Sequence, residues 1–144
     1  MNDIIVGHVN HPPKGYQSVI CDRRSFIGNP YTFKFEKHRD LSIKNCGLWL
    51  WDNFKLSEEL DCFPIDMTLH VHAPLYISEG LHLAQAFKNP TVADVMRELT
   101  FIAEVFKRTG HVSLLCHCRG NPNPAKDLPC HCDRVKSCIE KLFL

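Results

Sequence analysis

The chemistry this chain can do is concentrated in two short stretches. The first is Cys116-His117-Cys118, followed after a loop by Cys130-His131-Cys132. Thiolates and imidazoles gathered this closely are the donors that tetrahedral zinc takes, and the intervening loop is long enough to fold back on itself. Zinc sites more often use two-residue spacers, which let backbone amides bond to the sulfurs. With one-residue spacers the same residues also read as buried cysteines without metal, or as redox or nucleophilic thiols.

The second stretch is Cys21-Asp22-Arg23-Arg24-Ser25-Phe26-Ile27-Gly28-Asn29-Pro30. Adjacent arginines offer planar, bidentate donors to a phosphate. Gly28 permits close backbone approach. Asn29, held out of helical geometry by Pro30, has an amide suited to a base or ribose edge. A solvated arginine pair before a turn is the plain alternative.

Both stretches need elements that aim them. The apolar run in Asp3–Val9 predicts a buried strand, and Gln17–Cys21 predicts a second. Asp22–Phe33 reads as a loop. From about His38 the pattern turns helical, with Ile43, Cys46, Gly47, Leu50, Trp51 and Phe54 on one apolar face and Trp49 off it. In the segment 57–89, alternation over Leu69–Ile77 suggests an edge strand, since Pro74 argues against a central one. Leu81–Phe87 suggests one or two helical turns. Thr91 with Asp94 forms a capping-box start to a helix with Val92, Val95, Met96, Leu99, Ile102, Ala103 and Phe106 inward, ended by Gly110. His111–Cys116 is a strand, and Val135, Cys138 and Ile139 mark a closing helix.

Strands alternating with helices predict an α/β layered domain with a mostly parallel sheet. Both candidate stretches then leave the C-terminal ends of strands, the edge where open α/β sheets bind ligands. The first ends at a helix start near Cys130, whose free N–H groups suit a phosphate or carboxylate. There His131 can donate to a ligand, and Asp133 can cap the helix.

Composition sets bounds. The chain has 144 residues, 44% hydrophobic and 23% charged, which favours one domain with a real core and excludes disorder. A net charge of +1 without a basic stripe speaks against nucleic acid. No apolar run reaches the roughly 18 residues of a membrane span. Asp3 stands where a signal peptide carries basic residues, so a cytoplasmic protein with reduced thiols is expected. The scattered Cys21, Cys46, Cys62 and Cys138 read as small core hydrophobes.

Together, Arg23 with Gly28-Asn29-Pro30-Tyr31, Trp49-Leu50 on a helix, Cys116-His117-Cys118 and Cys130-His131-Cys132-Asp133 resemble the domain of unknown function 4326 family of bacteria and their phages. That family's pattern is roughly R-P-x-x-x-G-N-P-F, then W-L, C-W-C and C-H-x-D. The resemblance implies a small three-layer, Rossmann-like domain over residues 1–144, with the 57–89 segment as an insertion. It also implies a pocket at Arg23, Gly28, Asn29, Pro30, Cys130, His131 and Asp133. Arg24 and His117 depart from the pattern, and Cys132 takes a position normally small. If metal binds, Cys116, Cys118, Cys130 and His131 are the better set.

The expectation is a binder of a nucleotide-derived or other phosphorylated small molecule at the C-terminal sheet edge, such as a phage protein sequestering a host signalling nucleotide. An enzyme cleaving a glycosidic or phosphate bond, with His131 or Asp133 as acid or base, is the alternative. A zinc-stabilised interaction module is the third. The inserted segment is expected to cover the pocket or to join subunits of a homo-oligomer.

Overall fold

The computed structural model describes residues 3–22, 24–59, 80–85, 87–116 and 130–143. In chain order these form strands β1 (Asp3–His8), β2 (Gln17–Ile20) and β3 (Tyr31–Phe33), helix α1 (Arg39–Glu59) and strand β4 (Leu81–Leu83). Helix α2 (Val92–Thr109), strand β5 (His111–Cys116) and helix α3 (His131–Phe143) complete the chain. No helix among the described residues is long and apolar enough to cross a membrane.

The last strand in sequence is the middle one in space. β5 lies between β1 and β2, parallel to both. A central strand is flanked by neighbours on both edges and covered on both faces, which suits the buried run from Val112 to Cys116. Register pairs Ile4 with Val112, Val6 with Leu114 and His8 with Cys116. Side chains alternate between faces, so Ile4, His8, Val112, Leu114 and Cys116 share one face. Ile4, Val112, Leu114 and Cys116 enter a single core with Val95, Leu99 and Ile102 of α2 and Val135 and Ile139 of α3. On the opposite face Asp3 accepts a 2.7 Å hydrogen bond from the Tyr16 hydroxyl and lies 3.1 Å from His111 Nδ1. The parallel α/β sheet expected from the sequence is therefore present.

α2 also forms as its sequence predicts. Thr91 Oγ1 accepts from the Asp94 N–H while the Asp94 carboxylate accepts from the Thr91 N–H, and Gly110 closes the helix at φ 79°. A side chain with a Cβ is strained at that angle.

α1 is rotated from the face its apolar residues suggest. Trp49, expected off the buried stripe, is only 1% exposed and meets the Phe87 ring edge-on at 5.7 Å. Ser42, Asn45, Asn53 and Ser57 are buried with it, while Gly47, Trp51 and Phe54 are only half-buried. Polar groups can face inward because they are satisfied there. Asn53 Nδ2 donates to the Trp49 carbonyl at 2.8 Å, and Ser42 Oγ donates to the Tyr31 carbonyl at 3.1 Å.

Leu81–Leu83 is a strand, not the helical turn its composition suggests. It pairs antiparallel with β3, and the Ala84 N–H continues the contact to the Pro30 carbonyl at 2.8 Å. Pairing with Tyr31–Phe33 outweighs local helical preference. Of the segment 57–89, the start therefore belongs to α1, and its end supplies β4 and Phe87. The expected edge strand at Leu69–Ile77 lies outside the described residues.

Candidate functional site

β5 delivers Cys116 to the C-terminal edge of the sheet, on the same face as Leu114 and the helices. β2 reaches the same edge one strand over. The Cys21 N–H donates to the Leu115 carbonyl at 2.8 Å, which carries the ladder one residue past the strand. α3 then begins against this edge.

Its start is built from the chemistry-bearing residues themselves. Cys130 stands in the N-cap position, and its sulfur accepts from the Cys132 N–H at 3.5 Å. The Asp133 carboxylate accepts from the Cys130 N–H at 3.1 Å, and the Asp133 N–H donates to the Cys130 carbonyl at 3.0 Å. That is half a capping box with a thiol in the place of the usual hydroxyl. A backbone amide thus reaches a cysteine sulfur despite the one-residue spacer.

The outcome is a buried cluster. One donor atom from each of Cys116, Cys130, His131 and Cys132 lies within 4.8 Å of the other three, and no side chain of the four is more than 5% exposed. The cluster can hold a metal ion. The sequence-predicted set shares Cys116, Cys130 and His131 with it. Cys132 joins them, where the family pattern had argued for setting it aside, and Cys118 lies outside the described residues.

His131 is oriented in a way that matters for this chemistry. Its Nε2 donates to the Cys21 carbonyl at 2.5 Å, and its Nδ1 faces the Cys130 sulfur at 3.7 Å. The carbonyl can only accept, which fixes the Nε2–H tautomer and leaves the Nδ1 lone pair toward Cys130, while the Cys132 sulfur lies 3.9 Å from Nε2. A metal-ligating histidine commonly gives its second ring N–H to a backbone carbonyl in this manner.

The protonation equilibria are strained. Burial pushes the His131 imidazolium down, but hydrogen bonding to Cys130, negative charge on Cys130 and Cys116, and the Cys21 carbonyl together carry it above the ordinary histidine value. Hydrogen bonds with Cys116, Cys130 and Cys21, reinforced by burial, hold the Cys132 thiol well above the ordinary range. Several thiols in one dry site cannot all ionise without a cation among them.

The remaining predicted residues divide. Gly28, Asn29 and Pro30 are all buried. Asn29 Oδ1 accepts from the Tyr31 N–H and its Nδ2 donates to Ser42 Oγ, both at 2.9 Å, so the amide ties this loop to α1. Arg24 is exposed and grips the Asp22 carboxylate through Nε at 3.0 and 3.1 Å and a terminal nitrogen at 2.7 Å. Arg23 lies outside the described residues. The bond from His131 to Cys21 brings the two candidate stretches to one edge across 110 residues of sequence. Sequence reasoning treated Cys21 as core. Its position two residues before Arg23 was the available signal that its carbonyl sits at the site.

No curated protein and no solved structure matches the chain significantly. A family model does, and it spans the motif positions of both stretches over residues 8–141. The chain belongs to the family described as Domain of unknown function (DUF4326).

Proposed function

We propose that this domain binds a nucleotide-derived or other phosphorylated ligand at the C-terminal edge of its parallel sheet, and that a zinc ion fastens this edge. The observation that best supports the reading is the His131–Cys21 bond, which joins the start of α3 to the segment leading into Arg23. Ligands of open parallel sheets bind at this edge, and Arg23 is the residue proposed to hold the phosphate.

The zinc set is Cys116, Cys130, Cys132 and His131 through Nδ1. Zn–S distances near 2.3 Å and Zn–N distances near 2.0 Å put tetrahedral donors about 3.5–3.8 Å apart, so donors that now lie within 4.8 Å of one another need only close in slightly on the ion. Four protein donors fill a tetrahedron, so such a site is structural rather than catalytic.

Binding is favoured over hydrolysis by what His131 and Asp133 already do. His131 is buried, with both ring nitrogens engaged, and the Asp133 carboxylate caps α3. Neither stands ready as the acid or base that the enzyme reading assigned to it.

The test is isothermal titration of the full chain with a nucleoside diphosphate, together with native mass spectrometry of protein purified without chelator. About one zinc per chain and at least tenfold weaker binding by Arg23→Ala are expected, the latter matching the loss of about 1.5–3 kcal/mol for a charged hydrogen bond. Metal-free protein of unchanged melting temperature would remove the zinc. Undiminished binding by Arg23→Ala would remove the sheet-edge site.

A further inference from the structure

α1 and α3 pack side by side, and along their outer seam lies a cleft of about 350 Å³. α1 contributes Lys44, Gly47 and Trp51, and α3 contributes Arg134, Ser137 and Lys141. Both sets fall at helical spacing, so each helix turns one stripe toward the cleft. Gly47 lets the two stripes approach closely. A Cβ there would stand 3.0 Å from Arg134 Cδ.

The charge of this cleft is unusual for the molecule. Arg24, Arg39 and Arg97 each grip a carboxylate. Among the described residues no carboxylate pairs with Lys44, Arg134 or Lys141, and none lines the cleft. Three cations therefore converge on one concavity. Lys141 Nζ lies over the half-buried Trp51 ring, 5.5 Å from its centre, a cation–π contact at the aromatic wall of the cleft.

We infer that this cleft is a binding site for a phosphorylated small molecule with a planar ring, of the nucleoside monophosphate class. Its volume sits at the low end of small-molecule sites, roughly 300–1,000 Å³. The three cations and the Ser137 hydroxyl match a phosphate, and Trp51 offers a stacking face for a base. An extended nucleic-acid strand fits less well. Asp52 follows Trp51 and Glu140 precedes Lys141, so the positive charge does not run on along either helix. The site lies along the helices rather than at the sheet edge, and it stands independently of the proposal made for that edge.

Titrating the full chain with adenosine 5′-monophosphate, adenosine, inorganic phosphate and a short single-stranded DNA, followed by calorimetry and tryptophan fluorescence, tests it. The monophosphate should bind saturably, more tightly than adenosine or phosphate alone, and perturb the fluorescence. Lys44 and Arg134 are exposed, so the double variant Lys44→Gln/Arg134→Gln should keep its melting temperature and bind the monophosphate at least tenfold more weakly. The charge-matched control Lys107→Gln/Arg108→Gln, at the exposed end of α2, should bind it as the parent does. The inference falls if the double variant binds undiminished, if phosphate alone binds as well as the monophosphate, or if the DNA binds far more tightly than the monophosphate. It also falls if Arg23→Ala abolishes monophosphate binding, which would return the ligand to the sheet edge.

Discussion

Cys132 and Cys138 stand six positions apart on α3, and both are buried free thiols, yet they face different environments. Cys138 is held to about 11 by burial, against a small opposing pull from Lys141, and stays an inert thiol. Cys132 has three sulfur neighbours, those of Cys116, Cys130 and Cys21. Cys132→Ser should lose the metal and lower the melting temperature by about 10 °C, as expected for roughly 3 kcal/mol in a domain of this size. Cys138→Ser should retain the metal. Elemental analysis and thermal melting of the two variants decide between a zinc set and a set of core cysteines. Because the ligands bind metal only when deprotonated, acidification should release it before the chain unfolds, read as metal loss with helical signal retained. The residues of this cluster were visible from their types. Their grouping was not, because the choice of Cys132 depends on the first turn of α3 and on where β5 ends.

Elements with strong local signals were the most legible. α2 has a complete capping box, a continuous apolar stripe and a left-handed glycine, and every one of these forms. Thr91→Ala should cost about 1 kcal/mol, measured by denaturant unfolding. Burial pushes the Asp94 carboxyl up, but the Thr91 N–H, Arg97 and the Thr91 hydroxyl outweigh it and hold the group below the usual carboxylate value. A lowered pKa stabilises the fold above the ordinary value near 4, and that contribution is lost as pH falls through the lower one. Asp94→Asn should therefore flatten stability against pH only on the acid side. α1 was misread for a physical reason. Its inward face carries serines and asparagines, and the partners that hold Ser42 there, Tyr31 and Asn29, lie outside the helix. β4 was misread because a short strand is defined by its partner. On α1, Gly47→Ala should raise stability by up to about 1 kcal/mol through helix propensity, since the exposed Arg134 chain can move aside. The same change should weaken monophosphate binding in the cleft.

At the scale of the molecule, the sheet edge and helix start are joined by bonds that cross most of the sequence. Removing metal with a chelator should therefore do more than lower the melting temperature. Amide exchange should quicken at Cys21, at Cys116 and in the first turn of α3 together, while the middle of α2 stays protected. Exchange confined to α3 would mean that the cluster fastens only its own helix. The parallel sheet could be read from the alternation of strands and helices, whereas its order could not, since nothing local says that the last strand enters the middle.

That order has a consequence for how the chain comes into being. β1 and β2 are made early, lie in one sheet, and share no hydrogen bond with each other. Each waits for β5, which begins only at His111. During synthesis both strands emerge from the ribosome with open edges, and closing the sheet means joining segments about a hundred residues apart, which is slow. A nascent chain stalled before His111 should be digested readily by protease, whereas one extended past α3 should resist. Until β5 arrives, those open edges are what a chaperone would bind, or what a neighbouring nascent chain would pair with.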